Sequence, residues 1–297
     1  MLNDRKKNLL LYHFIVFLYG FTSILGALIS LQALPIVIYR MFIGALGLAI
    51  FFLVINPNYF MVKKKFLRKV FFSGIIIGAH WVTFFYAIKI STISITLSMM
   101  SAGALITALI DPIYNRKRIS SYEIFFGCIT IIGVIIIYRA EFQHLIGITI
   151  ALFSAFLSSL FTILNRNLVR ENNFTTLSFY ELLIGGVVCL IFYLVTNGYK
   201  SSDFELEGYD FLWILILGFI CTSYAFNASI KVLQYLSSFT VMMIINLEPI
   251  YGIILSILIW KDEAFLSLNF YIGFVIVLSS IYMNSIYNKR NEENKII

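Results

Sequence analysis

The amino-acid sequence predicts an all-α polytopic membrane protein, with ten transmembrane helices in two inverted five-helix repeats. Three observations carry that prediction. Of the 297 residues, 60% are hydrophobic and only 12% charged, with a mean hydropathy of +0.91; soluble domains hold about 45–50% apolar and ~25% charged residues. The apolar residues fall into ten runs of roughly twenty, the length a helix needs to cross a bilayer core of about 30 Å. The second and seventh runs also share a sequence at a constant spacing.

The ten runs are Leu9–Ser30, Leu34–Ile55, Val70–Ile88, Thr92–Tyr114 and Tyr122–Tyr138, then Ile146–Leu164, Thr175–Thr196, Phe211–Ile230, Ser238–Trp260 and Leu268–Tyr287. Stretches such as Ile129–Tyr138 are apolar on every face, which excludes the alternating strands of a membrane β-barrel. Arg5, Lys6 and Lys7 precede the first run. No small-x-small cleavage site follows it, so it reads as a retained helix and not a signal peptide.

Charge sets the orientation. With the N-terminus inside, seventeen Lys and Arg fall in inside segments and four (Lys89, Arg139, Lys200, Lys261) in outside ones, leaving Arg40 within a span. That asymmetry predicts cytoplasmic N- and C-termini in an inner (plasma) membrane. The net charge of +7 is therefore a topology signal with some attraction to anionic lipid, and nucleic acid is not an expected partner. Cys128, Cys189 and Cys221 lie in apolar runs and behave as small hydrophobes.

Between residues 39 and 54, seven of sixteen positions are identical to those 141 further on, Tyr39 matching Tyr180 and Gly44 matching Gly185. Ile88-Lys89 and Ile230-Lys231 match at 142, and Gly127 and Gly273 each open their run. The halves are residues 1–140 and 141–297. A unit of five helices inserts its second copy upside down. Inverted repeats of this kind are a build of secondary transporters, with the substrate near the midplane at the repeat interface.

These features resemble the EamA-like transporter family of the drug/metabolite transporter superfamily, over nearly the whole chain. The matching residues are Arg40 early in the second helix, Pro249 midway along the ninth, Glu263 just after it, and the glycine of the tenth, Gly273. The resemblance implies export or exchange of small metabolites, such as amino acids, across a bacterial inner membrane. The first half departs from the pattern, with Asn115-Arg116-Lys117-Arg118 where Gly-Glu is expected. Asp111-Pro112-Ile113-Tyr114 echoes Glu248-Pro249-Ile250-Tyr251 in a register that conflicts with the flanking offsets, so the pairing of helices four and nine stays open.

An ionisable side chain in the hydrocarbon costs at least ~2.5–3.5 kcal/mol, so each is a candidate for function. Arg40 falls about 9 Å below the outer boundary, and Glu181 a similar distance above the inner one. They are too far apart in depth to pair. Arg40 is expected to attract an anionic group such as a carboxylate, and Glu181 to serve an inner gate or a proton site. Glu248 lies near the midplane beside Asn246 and before Pro249. Proline removes a backbone donor and clashes with the carbonyl of Ile245, so a kink there offers a polar surface to substrate or proton. His80 and Trp81 sit mid-helix, as hydrogen-bonder and cavity wall or filler. For each, the plainer alternative is a side chain that only holds the fold. Tyr19, Tyr39, Tyr86, Tyr224 and Tyr251 are further candidates for a lining; Lys89 and Lys231 are expected to snorkel. Gly74 and Gly78 favour close helix packing within one chain over dimerisation.

No metal-ligand spacing appears, no phosphate-binding loop supports ATP-driven transport, and no cofactor is expected. A cavity formed by helices one, three, four, six, eight and nine would work by alternating access, driven by protons or by the substrate's own gradient. The other readings are an intramembrane enzyme or lipid-handling protein, which needs clustered catalytic groups, and a passive channel. Monomer and homodimer stay open.

Overall fold

A computed structural model describes residues 2–116, 118, 121–140, 142–260 and 267–293; Glu263 and Lys117 lie outside them. Among the described residues there is no strand. The helices are α1 (Leu2–Leu28), α2 (Ala33–Ile55), α3 (Lys64–Ile90), α4 (Ile93–Met100), α5 (Gly103–Tyr114), α6 (Ser121–Ala140), α7 (Leu145–Glu171), α8 (Phe174–Asn197), α9 (Asp210–Leu215), α10 (Ala225–Val232), α11 (Ser238–Ile245), α12 (Glu248–Ile259) and α13 (Leu268–Glu293).

Caps explain where the chain turns. Thr92, Asn173 and Ser237 precede α4, α8 and α11, and their side chains accept from Ile95 N–H, from Thr175 and Thr176 N–H, and from Thr240 N–H. Each satisfies donors that a helix start leaves unpaired. Gly198 ends α8 at φ 66°, a left-handed conformation that favours glycine.

Among the described residues, eight helical rods are long and apolar enough to cross a membrane: Lys6–Leu28, Ala33–Ile55, Lys64–Ile90, Ile93–Tyr114, Leu145–Glu171, Phe174–Asn197, Asp210–Val232 and Ser238–Ile259. In the fifth and tenth expected runs the helices form, but their apolar stretches are shorter, Ile124–Ile137 and Leu268–Ser280. Helix α6 carries Glu123 and Arg139 near its ends, and α13 runs on into a polar tail.

Three rods are not plain helices. Between α9 and α10, Ile216–Tyr224 winds as a π-helix, a form that recurs at functional sites. The other two interruptions correspond in length. Helices α4 and α11 have 8 residues each, and α5 and α12 have 12 each. Their starts and ends, Ile93 and Ser238, Met100 and Ile245, Gly103 and Glu248, Tyr114 and Ile259, all stand 145 positions apart. At that spacing Asp111-Pro112 does not fall on Glu248-Pro249, despite the likeness of the two segments. Pro249 sits in the first turn of α12, where its missing N–H costs nothing. The chain breaks ahead of it, at Asn246 and Leu247.

Packing pairs α6 with α13, α2 with α8, α3 with α7 and α8, and α1 with α10 and α12. Glycines set the closest approaches. Gly44 faces Leu182, and Gly185 faces Met41. Gly133 and Gly273 face each other's carbonyl, whereas Gly127, the glycine that opens the fifth run, abuts Leu105 of α5. Gly74 and Gly78 pack on α8 of the same chain. Lys89 does not snorkel. It half-buries, and its Nζ donates to the Ile29 carbonyl at 2.5 Å, beside Asp210, which accepts the Ser30 N–H and hydroxyl.

Candidate substrate cavity

A partly open cavity of about 80 Å³ lies between the rods. Helices α1, α3, α4, α7, α10, α11 and α12 line it, as expected from helices one, three, four, six, eight and nine. Helix α2 adds Arg40.

Arg40 is 1% exposed. Its Nε donates to Thr222 Oγ1 at 3.1 Å. The π-helical winding holds Thr222 in place, through a hydroxyl bond to the carbonyl of Leu217 five residues back at 2.7 Å. The guanidinium carbon lies 3.7 Å from the centroid of the Trp81 ring and 5.4 Å from that of Phe85, a cation–π geometry worth most when desolvated. One guanidinium nitrogen, Nη1, has no hydrogen-bond partner, and among the described residues no carboxylate pairs with Arg40. Its charge is held by rings and one hydroxyl, with donor capacity to spare.

Aromatic rings form the wall beneath it. Trp81 meets Phe226 edge to face at 5.3 Å, and Phe226 stacks on Phe161 at 5.7 Å. His80 lies 3.0 Å from the Ser154 carbonyl through Nδ1. Nδ1 also lies 2.8 Å from the Ser154 hydroxyl, which donates back to the His80 carbonyl at 2.9 Å. Glu248 opens α12 and also lines the cavity. Among the described residues its carboxylate has neither an ion-pair nor a hydrogen-bond partner. A fixed cation and a free carboxylate thus share one largely aromatic chamber.

Four of the seven site residues read from sequence meet here: Arg40, His80, Trp81 and Glu248. The other three do not. Glu181 is fully buried between α8, α3 and α7, with Oε1 accepting from the Ser73 hydroxyl. Asn246 is 1% exposed at the break before α12, on neither face of the cavity, with both side-chain polar atoms unpartnered. Pro249 is buried behind Glu248. Of the five tyrosines named from sequence, Tyr19 lines the cavity; Tyr86 and Tyr224 are exposed. Tyr12, Thr22, Ser158, Thr162 and Ser229 line it without having been singled out. Tyr12, Tyr19 and Thr22 recur along one face of α1, the only signal that marked them.

The fold and this cavity define a multi-pass, all-helical membrane protein with a charged, aromatic small-molecule chamber. The sequence model of the EamA-like transporter family matches twice, over residues 7–139 and 145–286. The chain belongs to that family, and is a transporter of the drug/metabolite superfamily. It is 22% identical over 220 residues to an uncharacterized transporter of Clostridium kluyveri, covering 71% of this chain and 70% of that protein. A crystal structure superposes with a TM-score of 0.72 over 95% of this chain and 98% of its own, at 13% identity, a likeness of fold alone.

Proposed function

We propose that the protein is an inner-membrane secondary transporter that exports or exchanges small zwitterionic metabolites, amino acids or similar, by alternating access. Ten helices cross the membrane in two inverted halves, residues 1–140 and 141–297, with both termini cytoplasmic. The observation that carries the substrate reading is that Arg40 and Glu248 line one aromatic chamber. Arg40 takes the carboxylate, Glu248 the ammonium, and the rings of Trp81, Phe161 and Phe226 the apolar part.

Several features support the inverted halves. The family matches each half separately. The broken rods correspond residue for residue at 145. Exchanging each helix of the α2–α8 pair for its counterpart 141 positions away turns the Gly44–Leu182 contact into Met41–Gly185, and both exist. The cavity mouth supports a cytoplasm-open state. Its lining reaches Leu233, just past the end of α10, and Tyr12 in the first half of α1. On the opposite side it stops well short of the helix ends, at Arg40, Phe84 and Met100.

The test compares extracellular metabolites of overexpressing and deleted cells, followed by counterflow of the metabolites found in proteoliposomes. Saturable counterflow that falls at least tenfold in Arg40→Gln is expected, because the substrate's charge loses its buried partner. Normal counterflow in a folded Arg40→Gln overturns the reading.

A further inference from the structure

Glu181 lies away from the substrate cavity, yet it is the most fully enclosed carboxylate among the described side chains, at 0% exposure. It stands at the centre of a three-helix cluster. Ser73 of α3 donates its hydroxyl proton to Glu181 Oε1. Asn165 of α7, also 0% exposed, donates from Nδ2 to Ser73 Oγ at 2.8 Å and to the Phe161 carbonyl at 3.3 Å. Two buried atoms then remain without a partner, Glu181 Oε2 and Asn165 Oδ1. Both are acceptors. The bonds of the Ser73 hydroxyl and the Asn165 amide go to Oε1, to Ser73 Oγ and to the Phe161 carbonyl, which leaves Oε2 and Oδ1 without a donor of their own.

No lysine, arginine, histidine or second carboxylate acts on Glu181 among the described residues; Ser73 and Asn165 are the groups that do. A carboxylate so enclosed is costly unless it is neutralised or paired. The repeat sharpens the contrast. The residue 141 positions earlier, in the matching Tyr-x-x-x-x-Gly segment, is Arg40. The first half carries its own cation at the place where the second half carries an anion without one.

We propose that Ser73, Asn165 and Glu181 form a binding site for one monovalent cation, a proton or Na+, that drives the transport cycle from outside the substrate cavity. Either ion satisfies both unpartnered acceptors at once: a proton on Oε2 donates toward Asn165 Oδ1, and Na+ takes carboxylate, amide and hydroxyl oxygens as hard ligands. The link to the substrate is short. Asn165 bonds the carbonyl of Phe161, whose ring is part of the cavity wall. Filling the site ties α3, α7 and α8 together. Emptying it leaves a bare carboxylate that favours a state in which water reaches it.

This proposal rests on the transporter reading, and its test needs no substrate. Purified full-length protein is melted in detergent along two arms: pH varied in Na+-free choline chloride, and NaCl replacing choline chloride at fixed pH. A cation that binds only the folded state raises the melting temperature. The wild type is expected to shift by about 2–4 °C along at least one arm; in the pH arm it loses stability relative to Glu181→Gln as pH rises. A response to pH alone assigns a proton, and a response to NaCl alone assigns Na+. In Glu181→Gln the amide donates to Asn165 as the proton would, and the responding arm goes flat. Ser73→Ala keeps the carboxylate and moves the midpoint of the response about tenfold in cation concentration, and it decides the matter should Glu181→Gln fail to fold. Arg40→Gln keeps the wild-type cation response, so failure of the cavity reading is seen separately, in counterflow. The proposal is overturned if the wild type is flat along both arms, or if the Glu181 and Ser73 variants respond as the wild type does.

Discussion

Arg40 shows how a full charge is held at depth without a counter-charge. The Trp81 ring lies 3.7 Å beneath the guanidinium and Thr222 accepts from Nε, so the face of the cation is shielded while Nη1 stays available for a ligand. A desolvated cation–π contact of this kind contributes about 2 kcal/mol. Trp81→Leu is expected to lower the melting temperature by about 4–8 °C, and Trp81→Phe, which keeps a ring, by less than half of that. Equal melting of the two variants would show that the ring serves only to fill space. Residues of this sort were legible in the sequence because a guanidinium, an imidazole, an indole or a carboxylate is out of place in hydrocarbon. The hydroxyls of Ser158, Thr162 and Ser229 were not. A buried Ser or Thr can bond its own helix, as Thr162 does to the Ser158 carbonyl at 2.9 Å, so its presence says nothing about a cavity. Nor does a charge reveal its neighbours: Glu181 and Glu248 are both carboxylates within apolar runs, and the packing of α8 against α3 and α7 is what encloses Glu181 in a closed cluster.

At the scale of elements, the repeat is readable where side chains must be small. Tyr39 to Gly44 and Tyr180 to Gly185 match because α2 and α8 cross there, each glycine admitting a large side chain of the other helix. The fourth and ninth runs share no such signature. Their correspondence lies in the placing of a helix break, which Ser101-Ala102 and Asn246-Leu247 make with different residues, so it emerges only from the backbone. The crossing can be tested with adjacent glycines. A methyl group at Gly185 would meet the Gly74 carbonyl at 2.7 Å, while one at Gly186 would lie 3.3 Å from Met41 Cβ. Backbone cannot yield as a side chain does, so Gly185→Ala is expected to cost about 1–3 kcal/mol and Gly186→Ala clearly less, read as the difference between their melting temperatures. The reverse order would mean that α3, α2 and α8 do not meet at Gly185.

For the whole molecule, the two ends of the cavity are unequal although the proposed halves correspond. On the side assigned to the outside, Lys89 at the end of α3 grips the Ile29 carbonyl, and Asp210 at the start of α9 holds Ser30, so the loop after α1 is pinned from two helices. Lys231 occupies the place of Lys89 in the second half. Among the described residues it makes no such bond, and it rests 5.7 Å over the Phe174 ring. One side latched and the other loose is what the proposed alternating access requires of any single state, since both mouths must never be open together. Ser229, in the cavity and only half-buried, lies on the loose side. With exposed Cys128 replaced by serine and Cys189 and Cys221 buried, Ser229→Cys should react with a membrane-impermeant maleimide in inside-out vesicles. In right-side-out vesicles it should react far more slowly. Adding Lys89→Met removes the outer latch and is expected to raise the outside rate several-fold while lowering the inside one. Labelling of Ser229→Cys from the outside alone would reverse the assigned orientation of the cavity. Labelling at equal rates from both sides in the parent would identify a continuous pore, and with it a channel instead of a carrier.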